Sequence, residues 1–121
     1  MIVDDTTDQC KSLEDFLEKS GHTVKCIPNG REALMHLLQE TPDLVVLDLI
    51  MPEMDGASFL EVVRSYLRIQ SLPVVVLTAL TDSPMIDRVQ ALKVNSVLIK
   101  GKAQPEDILK AIEEALVRAP G

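Results

Sequence analysis

Five side chains able to handle protons, metal ions or phosphate stand directly after short apolar runs. Asp4 and Asp5 follow Met1-Ile2-Val3, and Asp48 follows Leu44-Val45-Val46-Leu47. Thr78 follows Pro73-Val74-Val75-Val76-Leu77, and Lys100 follows Ser96-Val97-Leu98-Ile99. An apolar run that ends abruptly in a polar group reads as a buried strand delivering that group to the rim of a sheet. Three carboxylates gathered at one rim repel one another and resist ionisation unless a cation compensates them. A hard divalent ion such as Mg2+ meets that need, since it takes oxygen ligands and works with few protein groups plus a phosphate. Lys100 adds a point charge suited to a phosphoryl oxygen, and Thr78 adds a hydroxyl able to bond another. The set describes a pocket for phosphoryl transfer, in which positioning and charge neutralisation supply most of the catalysis.

The elements that must position these groups alternate along the chain. Strands are predicted at Met1–Val3, His22–Ile27, Leu44–Asp48, Pro73–Thr78 and Ser96–Lys100. Helices between them announce themselves by caps and apolar periodicity. Thr6 with Gln9 resembles a capping box, Asn29 is an N-cap candidate, Asp55-Gly56 leads into a helix, Ser83 as an N-cap precedes Pro84, and Pro105-Glu106-Asp107 places acids in a first turn. The expected apolar faces are Cys10, Leu13, Phe16 and Leu17; Ala33, Leu34, Leu37 and Leu38; then Phe59, Leu60, Val63, Tyr66 and Leu67. Ile86, Val89 and Leu92 serve the fourth helix, and Ile108, Ala111, Ile112, Ala115 and Leu116 the fifth. Ala119-Pro120-Gly121 cannot continue that helix. Such alternation argues for an α/β fold with a parallel sheet and right-handed crossovers. The second strand ends in Ile27-Pro28, without a functional polar group. Placing it at an edge, in the flavodoxin-like doubly wound order 2-1-3-4-5, lets the other four strand ends converge.

At 121 residues the chain is expected to be one domain, 1–121. Nineteen acidic against 12 basic residues give a net charge of -7, which argues against holding nucleic acid or anionic lipid through overall charge. There is neither a leader pattern nor an apolar run long enough to span a bilayer, so a cytoplasmic location is expected. Cys10 and Cys26 lack metal-ligand spacing and are too few to staple a small secreted domain; they read as buried thiols of a reducing compartment. His22 and His36 lack ligand spacing as well.

At these residues the chain resembles the response-regulator receiver domains of two-component signalling systems, over nearly its whole length. That family carries an acidic pair after the first strand, a D-x-x-M-P-x-x-D-G signature after the third, Thr or Ser followed by Ala after the fourth, and Lys after the fifth. Here these are Asp4-Asp5; Asp48 with Met51-Pro52 and Asp55-Gly56; Thr78-Ala79; and Lys100. The resemblance implies that Asp48 accepts a phosphoryl group from a phosphohistidine on a sensor histidine kinase or histidine phosphotransfer protein. It implies that Mg2+ is held by Asp5, Asp48 and the main-chain carbonyl of Ile50, with Asp4 as a secondary ligand. Lys100 would pair with Asp48 or the phosphoryl oxygens, and Thr78 would signal occupancy. An effector domain or downstream protein as output partner, and a homodimer through the fourth helix, fifth strand and fifth helix, are arrangements the resemblance allows. Such a domain assists its own phosphorylation and is not a turnover enzyme.

Two positions depart from the pattern. Gly101 follows Lys100 where the family usually has Pro, and Val97 stands where an aromatic commonly rotates inward. They support an alternative, a receiver-like interaction module acting without phosphorylation. A haloacid-dehalogenase-like phosphatase ranks last, because Ile50 stands where its D-x-D-x-T pattern needs a second carboxylate.

Overall fold

The computed structural model describes residues 1–118. Five strands, β1 (Ile2–Val3), β2 (Cys26–Ile27), β3 (Val45–Leu47), β4 (Val74–Thr78) and β5 (Ser96–Ile99), alternate with five helices. These are α1 (Thr7–Lys19), α2 (Gly30–Gln39), α3 (Gly56–Ser65), α4 (Pro84–Ala91) and α5 (Pro105–Arg118). The strands form one parallel sheet in the order β2-β1-β3-β4-β5, the doubly wound arrangement expected.

Side chains alternate across a strand, so a run that is apolar at every position must be covered twice. Val45, Leu47, Val74 and Val76 face a layer with Leu37 of α2, Phe59 and Val63 of α3, and Val89 of α4. Ile2, Val46 and Val75 face the other layer, with Leu13 and Leu17 of α1 and Ile108 and Ile112 of α5. Side-chain oxygens fix three of the helix starts. Asn29 accepts from Glu32 N–H at 2.9 Å, Asp55 from Ser58 N–H at 2.7 Å, and Ser83 from Met85 N–H at 3.2 Å.

Several local expectations are corrected. Thr6 stands at the N-cap of α1, but its side chain makes no cap bond. Its own N–H instead donates to Asp4 Oδ1 at 2.8 Å, so the turn is fixed from the strand side. The second strand shortens to Cys26–Ile27, as suits an edge strand whose only partner, β1, is itself two residues long. Tyr66 and Leu67 are exposed rather than part of the α3 face, because the helix ends at Ser65 and the chain turns back so that Ile69 and Leu72 fill the core. Leu38 is likewise largely exposed. Ala119-Pro120-Gly121 lies outside the described residues.

The cysteines are also corrected: Cys10 of α1 and Cys26 of β2 are joined by a disulfide. The apolar face of α1 lies over the edge strand and brings their Cα atoms to 6.2 Å, within the range that a disulfide spans.

At the end of the molecule where helices finish and strands begin, Arg64 in the last turn of α3 gathers four main-chain carbonyls. It donates to Leu92 O (2.8 Å), Leu72 O (2.7 Å), Gln70 O (3.0 Å) and Lys93 O (3.4 Å). Leu92 is the C-cap of α4, so one guanidinium ties the ends of two helices to the entry of β4.

Candidate functional site

Strand register builds the opposite rim. Val3 pairs with Leu47, so Asp4 and Asp48 leave adjacent strands at the same level. Each is anchored by its own backbone, Asp4 N–H to Ile27 O and Asp48 N–H to Val3 O, both at 3.0 Å. Asp4 and Asp48 are buried and Asp5 is exposed, yet carboxylate oxygens of all three lie within 4.8 Å of one another. On the far side of β4, Thr78 pairs with Ile99, and Lys100 N–H donates to Thr78 O at 2.8 Å. The Lys100 ammonium then reaches back over β4, 2.9 Å from Asp4 Oδ2 and 3.1 Å from Asp48 Oδ2.

The electrostatics are asymmetric. Burial pushes the Asp48 carboxyl above its ordinary value, and the Lys100 hydrogen bond and charge only partly offset this while the Asp4 charge adds to it. For Lys100, burial acts to lower the ammonium's pKa, but hydrogen bonds and charge from both Asp4 and Asp48 outweigh it, and the net direction is up. The difference follows from stoichiometry, since one cation serves two buried acids: the lysine is over-supplied and Asp48 under-supplied with counter-charge. Such a site has room for further positive charge. Its donors are all oxygens, with Asp5 on the solvent side, and this set suits a hard divalent cation such as Mg2+ rather than a soft metal.

The loop after Asp48 wraps the site. Ile50 N–H donates to Asp48 Oδ1 at 3.3 Å, which sets the Ile50 peptide beside the acid and leaves its side chain about half exposed. Met54 N–H bonds Pro52 O at 2.8 Å across Glu53, whose φ of 68° is left-handed. That is a γ-type turn, an uncommon and strained one for a non-glycine residue. Gly56 closes the loop with its N–H on Leu49 O at 2.9 Å, and a Cβ there would come within 2.5 Å of Asp48 O. The Asp-Gly pair is visible in the sequence as a helix start, but the close approach that requires glycine is not. Thr78 is fully buried, and its Oγ1 accepts from Leu80 N–H at 3.1 Å.

The candidate side chains thus stand at one rim: Asp4, Asp5, Asp48 and Lys100 in one cluster with Ile50 N–H bonded to Asp48, and Thr78 at the end of the strand between β3 and β5. Asp4 is more engaged than its secondary role suggests, being bonded to Lys100 and Thr6 at once. After Lys100 the chain turns through Gly101 at φ 85°, with Lys102 and Ala103 N–H both on Ile99 O. Proline, fixed near φ -65°, could not adopt this turn. Val97 is half-buried and packs against the core layer shared with α2, α3 and α4.

Comparison with known proteins agrees with this architecture. The family described as response regulator receiver domain matches residues 1–113. The chain is 37% identical over 118 residues to the response regulator Rre1 of Synechocystis sp., covering 97% of this chain and 50% of that one. It is 32% identical over 120 residues to the transcriptional regulatory protein GltR of Pseudomonas aeruginosa, covering 98% and 49%. The chain therefore spans about half the length of these curated relatives. Among solved structures, the signal receiver domain of a signal transduction histidine kinase from Syntrophus aciditrophicus superposes with a TM-score of 0.87 at 28% identity, over 96% of this chain and 87% of that one.

Proposed function

Because this chain belongs to the response regulator receiver domain family of two-component systems, we propose that it is a phosphoryl-accepting switch in which Asp48 is the acceptor and residues 1–121 act as one receiver unit. The observation that carries this reading is the Lys100 ammonium bridging Asp4 and Asp48 beside the carboxylate of Asp5. An Asp48 oxygen attacks phosphorus in a phosphohistidine of a sensor kinase or phosphotransfer protein. The P–N bond breaks as the P–O bond forms, leaving an acyl phosphate and a free imidazole. Asp4, Asp5, Asp48 and the Ile50 carbonyl would hold Mg2+, which would supply charge neutralisation for the transferring group. Lys100 exchanges its Asp48 oxygen for a phosphoryl oxygen. Thr78 Oγ1 accepts from Leu80 N–H, so its own proton is free to be donated to the phosphoryl group, and that bond reports occupancy to the loop beyond β4.

On this reading the domain assists its own phosphorylation without turning over a substrate, and it works in the cytoplasm. Its output partner is an effector domain or a downstream protein. No described helix is long and apolar enough to cross a membrane. The test is intact mass after incubation with acetyl phosphate and Mg2+. Wild type gains one phosphoryl group and Asp48→Asn gains none. An unmodified wild type, or an equal adduct on the variant, overturns the reading, and consumption of many donor equivalents favours an enzyme. Val97 and the Gly101 turn favour a second reading, a module that docks without phosphorylation. Partner binding that ignores the adduct would select it.

A further inference from the structure

The structure joins α1 to the edge strand β2 through Cys10 and Cys26, and we propose that this pair is a reversible thiol–disulfide modification site that controls how firmly the β1–α1 acids are held. Cys10 is buried on the inner face of α1, whereas Cys26 is only half-buried, on a strand that has a single neighbour in the sheet. An external reagent thus meets Cys26 first, with Cys10 placed behind it to resolve a mixed disulfide.

The ladder joining β2 to β1 is two residues long, so the edge strand is held by few backbone pairs, and the disulfide adds a covalent tie from it to α1. From Cys10 a continuous run of hydrogen bonds leads to the rim. Cys10 N–H donates to Thr6 O (3.0 Å), Thr6 N–H to Asp4 Oδ1 (2.8 Å), and Asp4 Oδ2 accepts from the Lys100 ammonium that also bonds Asp48. Asp5 lies inside the segment so spanned. Closing the disulfide restrains the first turn of α1 and with it the loop that presents Asp4 and Asp5; opening it loosens both. Disulfides of cytosolic proteins are commonly transient and redox-sensing rather than structural.

Starting from the dithiol, the Cys26 thiolate attacks one sulfur of a low-molecular-weight disulfide such as oxidised glutathione, whose S–S bond breaks to release one thiol. The Cys10 thiolate then attacks the Cys26 sulfur of the mixed disulfide, forming the internal bond and releasing the second thiol. The two thiol protons end on the two released thiols, and two electrons pass from the cysteines to the small disulfide. Excess reduced thiol runs the exchange backwards.

The thiol chemistry stands alone, whereas its effect on the acids rests on the Mg2+-binding reading above, so the test has two arms. In the first, the full chain is equilibrated in mixtures of reduced and oxidised glutathione, quenched with acid, alkylated with N-ethylmaleimide under denaturing conditions and weighed. The expected result is a transition from two alkylated cysteines to none, with loss of two hydrogens; in oxidising mixtures, two free thiols or a stable glutathione adduct would overturn the site. In the second, Mg2+ is titrated calorimetrically into the oxidised and reduced protein and into the Cys10→Ser/Cys26→Ser variant. The oxidised form should bind roughly fivefold more tightly, the lower end of usual coupling between sites, and the variant should match the reduced form whatever the glutathione ratio. Equal affinities in the two redox states, including no binding in either, overturn the coupling; an acyl phosphate forming in both states would show that the Asp48 reading survives that failure.

Discussion

Two cations at opposite ends of the sheet show how differently a protein can satisfy a partly buried positive charge. Lys100 is held by two acidic side chains, Asp4 and Asp48, at the rim where the strands end. Arg64 is held by four main-chain carbonyls and, among the described residues, by no acid. Burial lowers the guanidinium's pKa from its very high ordinary value, and arginine still stays protonated. The carbonyls of Arg64 are fixed by the helices and turns they terminate and cannot leave. The partners of Lys100 are side chains, and another charged ligand can replace them. The Arg64 arrangement is architecture, and the Lys100 arrangement suits exchange during a reaction.

Removing each cation separates the two roles. Arg64→Leu strands carbonyls at the C-terminus of α4 and at the entry to β4. It should cost about 3 kcal/mol, read as a lower urea midpoint, and Mg2+ should restore none of it. Lys100→Ala leaves the fold intact but the acids uncompensated, at a cost on the order of 2 kcal/mol in metal-free buffer; here added Mg2+ should recover most of the loss. Equal response of the two variants to Mg2+ would erase the distinction. Lys100→Ala should also weaken any shift in oligomerisation or partner binding that phosphorylation produces, whereas Arg64→Leu should not.

Proton linkage gives the smaller effects. The folded Lys100 pKa is raised above 10.5, so its contribution is complete below that value and is lost as pH rises through the higher folded pKa. The stability gap between wild type and Lys100→Ala should therefore narrow above pH 10.5. Asp48 has the opposite sign. An acid whose folded pKa lies above 3.8 destabilises the fold once pH exceeds the folded value. Asp48→Asn should accordingly melt slightly higher than wild type at neutral pH in metal-free buffer, with the gain fading as pH falls through the raised folded pKa and gone below 3.8. A lower melting temperature for the variant at pH 7 would mean that the Lys100 pairing outweighs burial.

The rim was legible in the sequence because each of its residues ends an apolar run, and parallel strands place all such ends on one side. Asp48, Thr78 and Lys100 needed nothing more than strand boundaries and an order in which β2 lies at the edge. The base was not legible. Arg64 in its helix looks like any solvated charge, because its partners are carbonyls, which every residue has, and their convergence depends on where α3 and α4 stop. Periodicity carried past that stop also placed Tyr66 and Leu67 in the core wrongly. The Cys10–Cys26 link was missed for a related reason. Sequence gives the inward face of α1, but not which strand that face covers. Gly56 was read as part of a helix start, whereas its contact with Asp48 O is a property of two segments packed together.

The ion pair between Lys100 and Asp4 joins positions 96 apart in the chain, and this has a consequence for biosynthesis. A chain emerging from the ribosome carries Asp4, Asp5 and Asp48 long before residue 100 is made, and a domain folds as a unit. Until the last strand arrives, the nascent protein carries neighbouring acids with no internal counter-ion, a configuration that resists compaction. Docking of β5 is therefore the event that makes the acidic rim tolerable, and a chain arrested before Lys100 should depend on divalent cations to hold the β1–β3 pair together.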